Sequence, residues 1–130
     1  MSGPALTGSS DSIVVEFPAT EGYRSVGRLV LGGLASRFEL PVDRVEDMLL
    51  AIESLLLNGV SGETVTLAVD AGEEGLRVRV GPFANGGVAD PAVARVVSRL
   101  VDEASELPSE RDGETYAELL VSAARHGRGG

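Results

Sequence analysis

Residues 76–80 (LRVRV) alternate apolar and charged side chains without interruption. Because successive side chains of a β-strand point to opposite faces of a sheet, this pattern predicts a strand with one buried and one wet face. Residues 63–69 are β-branched and alternating, and the turn-forming residues 70–75 join them to the second segment. We therefore predict an antiparallel hairpin, whose apolar face needs a second layer of structure to cover it.

Two helices are predicted before the hairpin. In residues 23–38 and 41–58, apolar side chains recur at the three- and four-residue spacing of one helix face. Gly27, Gly32 and Gly33 lower the helix propensity of the first helix, and we interpret them as sites of close packing on a neighbour. The predicted core stripes are Val26, Leu29, Val30, Leu34 and Phe38 in the first helix, and Val45, Met48, Leu49, Ile52, Leu55 and Leu56 in the second.

A third helix is predicted after the hairpin and a loop at residues 81–87. Asp90 suits its N-cap and Pro91 its first turn, and the helix should end near Ala104. Its predicted core stripe is Val93, Val96, Val97, Leu100 and Val101.

The segments 13–17 and 115–121 are predicted as the first and last strands. The expected fold is α+β: a two-layer sandwich in the order βααββαβ, with a mostly antiparallel four-stranded sheet covered on one face by three helices. Residues 1–11 are predicted as a disordered tail, residues 12–123 as a single domain, and residues 124–130 as a flexible Gly/Arg tail.

Composition excludes several classes of function. The chain carries 20 acidic and 11 basic residues, a net charge of -9, so we expect no nucleic-acid partner. It has no apolar run of about 20 residues and no signal-peptide pattern, so we expect a cytoplasmic protein without a membrane partner. With no Cys and with His126 as its one histidine, it offers no thiol nucleophile, His-based triad or multi-His metal site.

Residues 42–58 (VDRVEDMLLAIESLLLN) resemble the N-box helix of the histidine-kinase-like (GHKL, Bergerat) ATPase superfamily, and within it the anti-sigma-factor serine kinases of bacterial partner-switching systems. Residues 17–19 before the first helix resemble the opening of these kinases. Residues 100–103, a polar gap and then residues 112–113 before a strand resemble their closing segment. The resemblance covers most of residues 13–122. It implies a transcription regulator whose partner is a sigma factor or an anti-anti-sigma (STAS) protein, with a homodimer as a further option.

The resemblance implies specific roles on the second helix. In the superfamily a Glu orients or deprotonates the attacking group, and the side-chain oxygen of an Asn four residues later helps hold Mg²⁺. Glu53 matches the Glu, Leu57 stands at the Asn position, and Asn58 follows it. A separation of four residues is about 40° around a helix and one of five is about 140°, so Glu53 and Asn58 cannot address one ion from a regular helix. Glu53 is therefore a catalytic candidate, and Asn58 a metal and cofactor ligand, only in an active kinase with a bulged helix.

Two further departures concern the nucleotide. The superfamily has an Asp after the hairpin that reads adenine, whereas this chain offers only Asn85 and Gly86 in that loop. The superfamily also binds phosphate at a glycine-rich helix start, whereas here Asp90 places a carboxylate there. We therefore expect no cofactor, with Mg-ATP only in the active alternative.

Three functions stay open at this point. The first is a pseudokinase: a regulator without enzymatic activity that binds proteins and has lost or weakened ATP binding. The second is an active ATP-dependent serine/threonine kinase and anti-sigma factor. The third is an unrelated small α+β domain for dimerisation or ligand binding. Leu31 of the first helix is a candidate partner or dimer contact if it is exposed, the alternative being that the N-terminal strand or tail covers it.

Overall fold

The computed structural model describes residues 5–8, 12–18, 29–33, 36, 40–57, 60–72, 75–84, 90–111 and 113–122. The strands are β1 (Ala5–Gly8), β2 (Ser12–Pro18), β3 (Thr64–Gly72), β4 (Gly75–Phe83), β5 (Glu103–Pro108) and β6 (Thr115–Ser122). The helices are α1, described at residues 29–33 and 36, α2 (Val42–Leu57) and α3 (Pro91–Leu100). Within these ranges, no helix is long and apolar enough to cross a membrane.

The strands of the described ranges form one antiparallel sheet in the order β1-β2-β3-β4-β6-β5. The pairing register places Val15, Leu67, Val80 and Ala117 in one row across β2, β3, β4 and β6. All four side chains are buried, so this row lies on the covered face of the sheet. The residues that alternate with them lie on the opposite face, which we call the open face.

The core lies between the covered face and the helices. The helices contribute Val30 and Leu31 of α1, Val97 of α3, and five residues of α2, which are Val45, Met48, Ala51, Ile52 and Leu55. Among the described residues, no polar or charged residue is buried in this core. Burial of apolar surface, worth about 25 cal/mol per Å² removed from water, is therefore the main force that holds the helices on the sheet.

The central hairpin is confirmed. β3 and β4 pair as neighbours, with Val69 opposite Val78 and Leu67 opposite Val80. Val78 and Val80 are fully buried, whereas Arg77 is half-buried and Arg79 exposed. The alternation in the sequence thus sets which face of β4 meets the core. The strand is longer than predicted, however: residues 81–83, expected in a loop, continue β4 and end at the buried Phe83.

The predicted four-stranded sheet and the order βααββαβ are wrong in detail, because two edge strands were missed. Residues 5–8, expected in a disordered tail, form β1 and pair with β2. The third helix ends at Leu100 instead of near Ala104, and residues 103–108 form β5 against β6. The reason is local: Val101 is extended, with φ -123° and ψ 164°, and the N–H of Asp102 donates to the carbonyl of Leu120 at 2.8 Å.

The first helix differs most from its prediction. Leu29, expected in the core, is 77% exposed, whereas Leu31 has no exposed surface. The condition for a partner or dimer contact at Leu31 is therefore not met, because the side chain belongs to the core. A Cβ added at Gly32 or Gly33 would meet no atom within 4 Å, so neither glycine serves close packing. The predicted stripe positions Val26, Leu34 and Phe38 lie outside the described residues, as do Gly27 and residues 124–130.

Candidate functional site

Glu53 lies on α2, at the margin of the stripe that enters the core. Its neighbours Ile52 and Leu55 are buried, whereas Glu53 is half-buried and its side chain has an interaction partner. The helix is regular from Val42 to Leu57, and Ser54 donates from its hydroxyl to the carbonyl of Leu50 at 3.0 Å. The structure thus places Glu53 at the edge of the second layer, as the sequence predicts for an amphipathic helix.

Leu57 occupies the position where the resemblance places a Mg²⁺-binding Asn. It is the last residue of α2, and its side chain is 79% exposed. A leucine has no oxygen with which to ligate a hard cation such as Mg²⁺. Asn58, Asn85 and Gly86, the other predicted cofactor contacts, lie outside the described residues.

The N-terminus of α3 is capped by a carboxylate, as predicted. The side chain of Asp90 accepts hydrogen bonds from the backbone N–H of Ala92 at 2.9 Å and of Val93 at 3.3 Å. The carbonyl of Asp90 also accepts from the N–H of Ala94 at 2.8 Å, and Pro91 occupies the first turn. The N–H groups in the first turn of α3 have no acceptor within the helix, and two of them donate to the carboxylate of Asp90 instead.

Two features of the described residues concern the predicted nucleotide site. Leu57 supplies no metal ligand, and the carboxylate of Asp90 stands where a phosphate would approach the α3 amides. In the part of the chain that the structure describes, no group of three or more acidic or histidine side chains could hold a metal ion. Of the two residues predicted on the second helix, Glu53 lies on α2, and Asn58 lies outside the described residues.

An ion-paired clasp ties the helical layer to the end of the sheet. Arg44 of α2 donates to Asp102 at 2.8 Å and to Asp47 at 3.1 Å, and its side chain is only 12% exposed. The carboxylate of Asp102 also accepts the N–H of Ser122 at 2.7 Å. Burial raises the pKa of Asp102, but the Ser122 N–H and the Arg44 guanidinium outweigh it, so the pKa lies below its ordinary value.

A groove with a volume of about 910 Å³ lies on the open face of the sheet. We call it the open-face groove. Thr66, Arg79 and Tyr116 lie on its floor, and residues 61–63 and 109–111 form its walls together with Glu114. These floor residues alternate along their strands with the buried Leu67, Val80 and Ala117, which places the groove on the side away from the helices.

The floor of the groove is fixed by two contacts that the sequence did not predict. A Cβ added at Gly81 would lie 2.8 Å from Cδ2 and 3.1 Å from Cγ of Tyr116, so the ring packs directly on the glycine. Glu118 lies 3.5 Å from Nε of Arg79 and 3.6 Å from Arg77. Both contacts join β4 to β6, and no local pattern in either segment signals this pairing.

Comparison with known proteins finds partial relatives of one kind. The chain is 35% identical over 77 residues to the serine-protein kinase RsbW of Listeria innocua serovar 6a, covering 54% of this chain and 49% of the relative. It is 38% identical over 50 residues to the serine-protein kinase RsbW of Listeria monocytogenes serotype 4a, covering 38% of this chain and 32% of the relative. No family model matches. The chain thus spans about half the length or less of these relatives, and the matches support its resemblance to the anti-sigma-factor serine kinases.

Proposed function

We propose that this chain is a regulatory protein of the partner-switching type that acts by binding other proteins, with lost or weak binding of ATP. The partial similarity to RsbW kinases supports the regulatory class. One observation supports the loss or weakening of ATP binding: the carboxylate of Asp90 accepts hydrogen bonds from the N–H groups of Ala92 and Val93 at the start of α3.

The physical reason is a charge of the wrong sign. Free amides at a helix start attract phosphate, but amides bonded to a carboxylate present a negative group instead. Each unit of phosphate charge about 4 Å from that carboxylate costs about 1 to 4 kcal/mol, depending on exposure to water. Leu57 adds no metal ligand that would offset this repulsion. Both features oppose the same magnesium nucleotide, and they lie on different helices.

The partners we propose are a sigma factor or an anti-anti-sigma (STAS) protein. The chain carries a net charge of -9, so it favours encounter with a basic surface of such a partner. Binding would then act by occlusion, since the partner's surface cannot meet its other ligand while this chain covers it.

The test is a pairwise titration of the purified chain with one sigma factor and one STAS protein of its own organism, each with and without Mg-ATP. We expect one of them to bind, with a dissociation constant that Mg-ATP changes by less than about twofold. Asp90→Ser is the matched variant, because Ser keeps the N-cap and removes the charge. Failure of both proteins to bind, or a tenfold effect of Mg-ATP on the wild-type affinity, would contradict the proposal.

A second candidate is an active serine kinase, which the serine-protein kinase activity in the relatives' names favours. In that case Glu53 is the catalytic candidate and Asn58 the metal ligand. Incubation with a STAS protein and labelled ATP decides between the two functions. Phosphoserine that forms with the wild type and disappears with Glu53→Gln would establish the kinase, and no incorporation would reject it.

A further inference from the structure

We propose that the open-face groove is a docking site for an extended, basic segment of a partner protein. This inference rests on the proposed function, because it assumes that the chain acts by binding proteins. It concerns the side of the sheet away from α2 and α3.

The size and lining of the groove favour a polypeptide. Its volume of about 910 Å³ is at the upper end of small-molecule pockets, which are enclosed and mostly apolar. Here the floor runs across β3, β4 and β6, and its side chains include the hydroxyl of Thr66, the guanidinium of Arg79 and the ring of Tyr116. An extended segment can lay alternate side chains into such a groove and leave the others in water.

The walls of the groove are held by hydrogen bonds to each other and to the sheet. The hydroxyl of Ser61 donates to Glu114 at 2.6 Å, and the N–H of Ser61 donates to the carbonyl of Pro82 at 2.8 Å. On the opposite wall, the N–H of Ser109 donates to the carbonyl of Glu114 at 3.1 Å, and the N–H of Arg111 donates to the hydroxyl of Ser109 at 3.2 Å. Because both walls meet at Glu114, a ligand finds the groove formed in advance.

The charges around the groove set the chemistry of the occupant. Three carboxylates line the walls, those of Glu63, Glu110 and Glu114, against one guanidinium, that of Arg111. On the floor, Arg79 shares the carboxylate of Glu118 with Arg77, at 3.5 Å and 3.6 Å. The net negative charge of the walls therefore favours the binding of arginine or lysine side chains. The charge of -9 on the whole chain also raises the rate at which a basic segment encounters it.

Tyr116 gives the groove an anchoring surface. Its ring packs on Gly81 and also lines the groove, where it is half-buried. Tyrosine is enriched among the residues that carry most of the binding energy in protein interfaces, since a large rigid ring is ordered at low entropic cost. The face of such a ring also attracts a guanidinium or ammonium group.

The test uses the full chain labelled with ¹⁵N and two peptides. The probe is acetyl-Gly-Arg-Gly-Arg-Gly-amide, and its control carries uncharged citrulline in place of both arginines. We expect the arginine peptide to cause saturable amide shifts at residues 61–66 and 109–116, and the citrulline peptide to bind at least about tenfold more weakly. Equal binding of both peptides, shifts confined to α2 and α3, or no saturable shift up to about 10 mM would overturn the inference.

Substitution of carboxylates inside and outside the groove shows where the arginine peptide binds. Glu63 and Glu110 are exposed, so the double substitution Glu63→Gln, Glu110→Gln should leave the fold intact and weaken the arginine peptide by about fivefold or more. The control Asp70→Asn, Glu103→Gln also removes two exposed carboxylates, both outside the groove, and we expect a change of less than about twofold. Equal effects of the two variants would mean that net charge alone drives binding, which would overturn a specific site.

Further measurements distinguish other occupants of the open-face groove. If light scattering gives a dimer that Thr66→Arg dissociates, a second copy covers the groove and the inference is wrong. If a sigma factor or STAS protein binds the wild type and the double Gln variant equally well, the groove inference fails while the proposed function stands. If neither protein binds, the proposed function fails, and the peptide titration still tests the charge preference of the groove directly.

Discussion

The guanidinium of Arg44 lies 2.8 Å from the carboxylate of Asp102 and joins the first turns of α2 to the segment between α3 and β5. The same carboxylate accepts the N–H of Ser122 at the end of β6. Three elements that are distant in the sequence therefore meet at one acidic side chain. We expect this clasp to contribute to stability, because it orients a guanidinium that is only 12% exposed.

Substitution of Asp102 tests the clasp. Asp102→Ala removes the acceptor for both Arg44 and Ser122. Because the side chain of Asp102 is 44% exposed, we expect the substitution to lower the free energy of unfolding by only about 1 kcal/mol. The control is Glu103→Gln, an exposed neighbour, which should change it by less than about 0.5 kcal/mol. Urea unfolding followed by circular dichroism measures both, and equal effects would contradict the role of the clasp.

The pKa of Asp102 predicts a pH dependence. Since the folded-state pKa lies below the ordinary value of about 3.9, the ionised form is favoured by folding. Its contribution is fully present above the ordinary value, and it is lost as pH falls through the lowered pKa of the folded state. We therefore expect the stability difference between the wild type and Asp102→Asn to shrink between about pH 5 and pH 2. A difference that stays constant over this range would contradict the assignment.

The hairpin and the α3 cap could be predicted because their signals are local. Alternation in residues 76–80 fixes which side chains enter the core, and Asp90 before Pro91 fixes where α3 begins. The edge strands β1 and β5 could not be predicted in this way. β5 (EASELP) pairs on one side with β6 and is largely exposed, so its formation does not require an alternating apolar pattern.

The first helix shows a different limit. Its glycines weaken the periodic pattern, and the buried pair is Val30 and Leu31 instead of the predicted Leu29 and Val30. The groove was missed for a third reason: Gly81 and Tyr116 meet only because β4 pairs with β6. Glu53 and Asp90 could be placed from the sequence, because each position depends on the helix that carries it.

The two leucines near the end of α2 make a matched pair. Leu55 has no exposed surface, whereas Leu57 is 79% exposed. We expect Leu55→Ala to cost about 2 to 5 kcal/mol through lost burial and the cavity that remains. Leu57→Ala should cost less than about 0.5 kcal/mol. Chemical denaturation of both variants checks the orientation of α2, and similar losses would mean that the helix is turned differently.

Two glycine substitutions should act in opposite directions. Gly33→Ala adds a Cβ that meets nothing within 4 Å on a helix, so we expect a gain of about 0.5 to 1 kcal/mol. Gly81→Ala brings its Cβ within 2.8 Å of the Tyr116 ring and should be destabilising. Thermal unfolding of both variants provides the measurement. A melting temperature that rises for Gly81→Ala would contradict the described packing of the groove floor.

We propose that the capped start of α3 and the exposed Leu57 leave no strong site for a magnesium nucleotide. Calorimetric titration of the full chain with Mg-ATP measures this affinity. We predict no saturable heat, or a dissociation constant weaker than about 100 μM. A stoichiometric isotherm with a tighter constant would show that the chain keeps a nucleotide site.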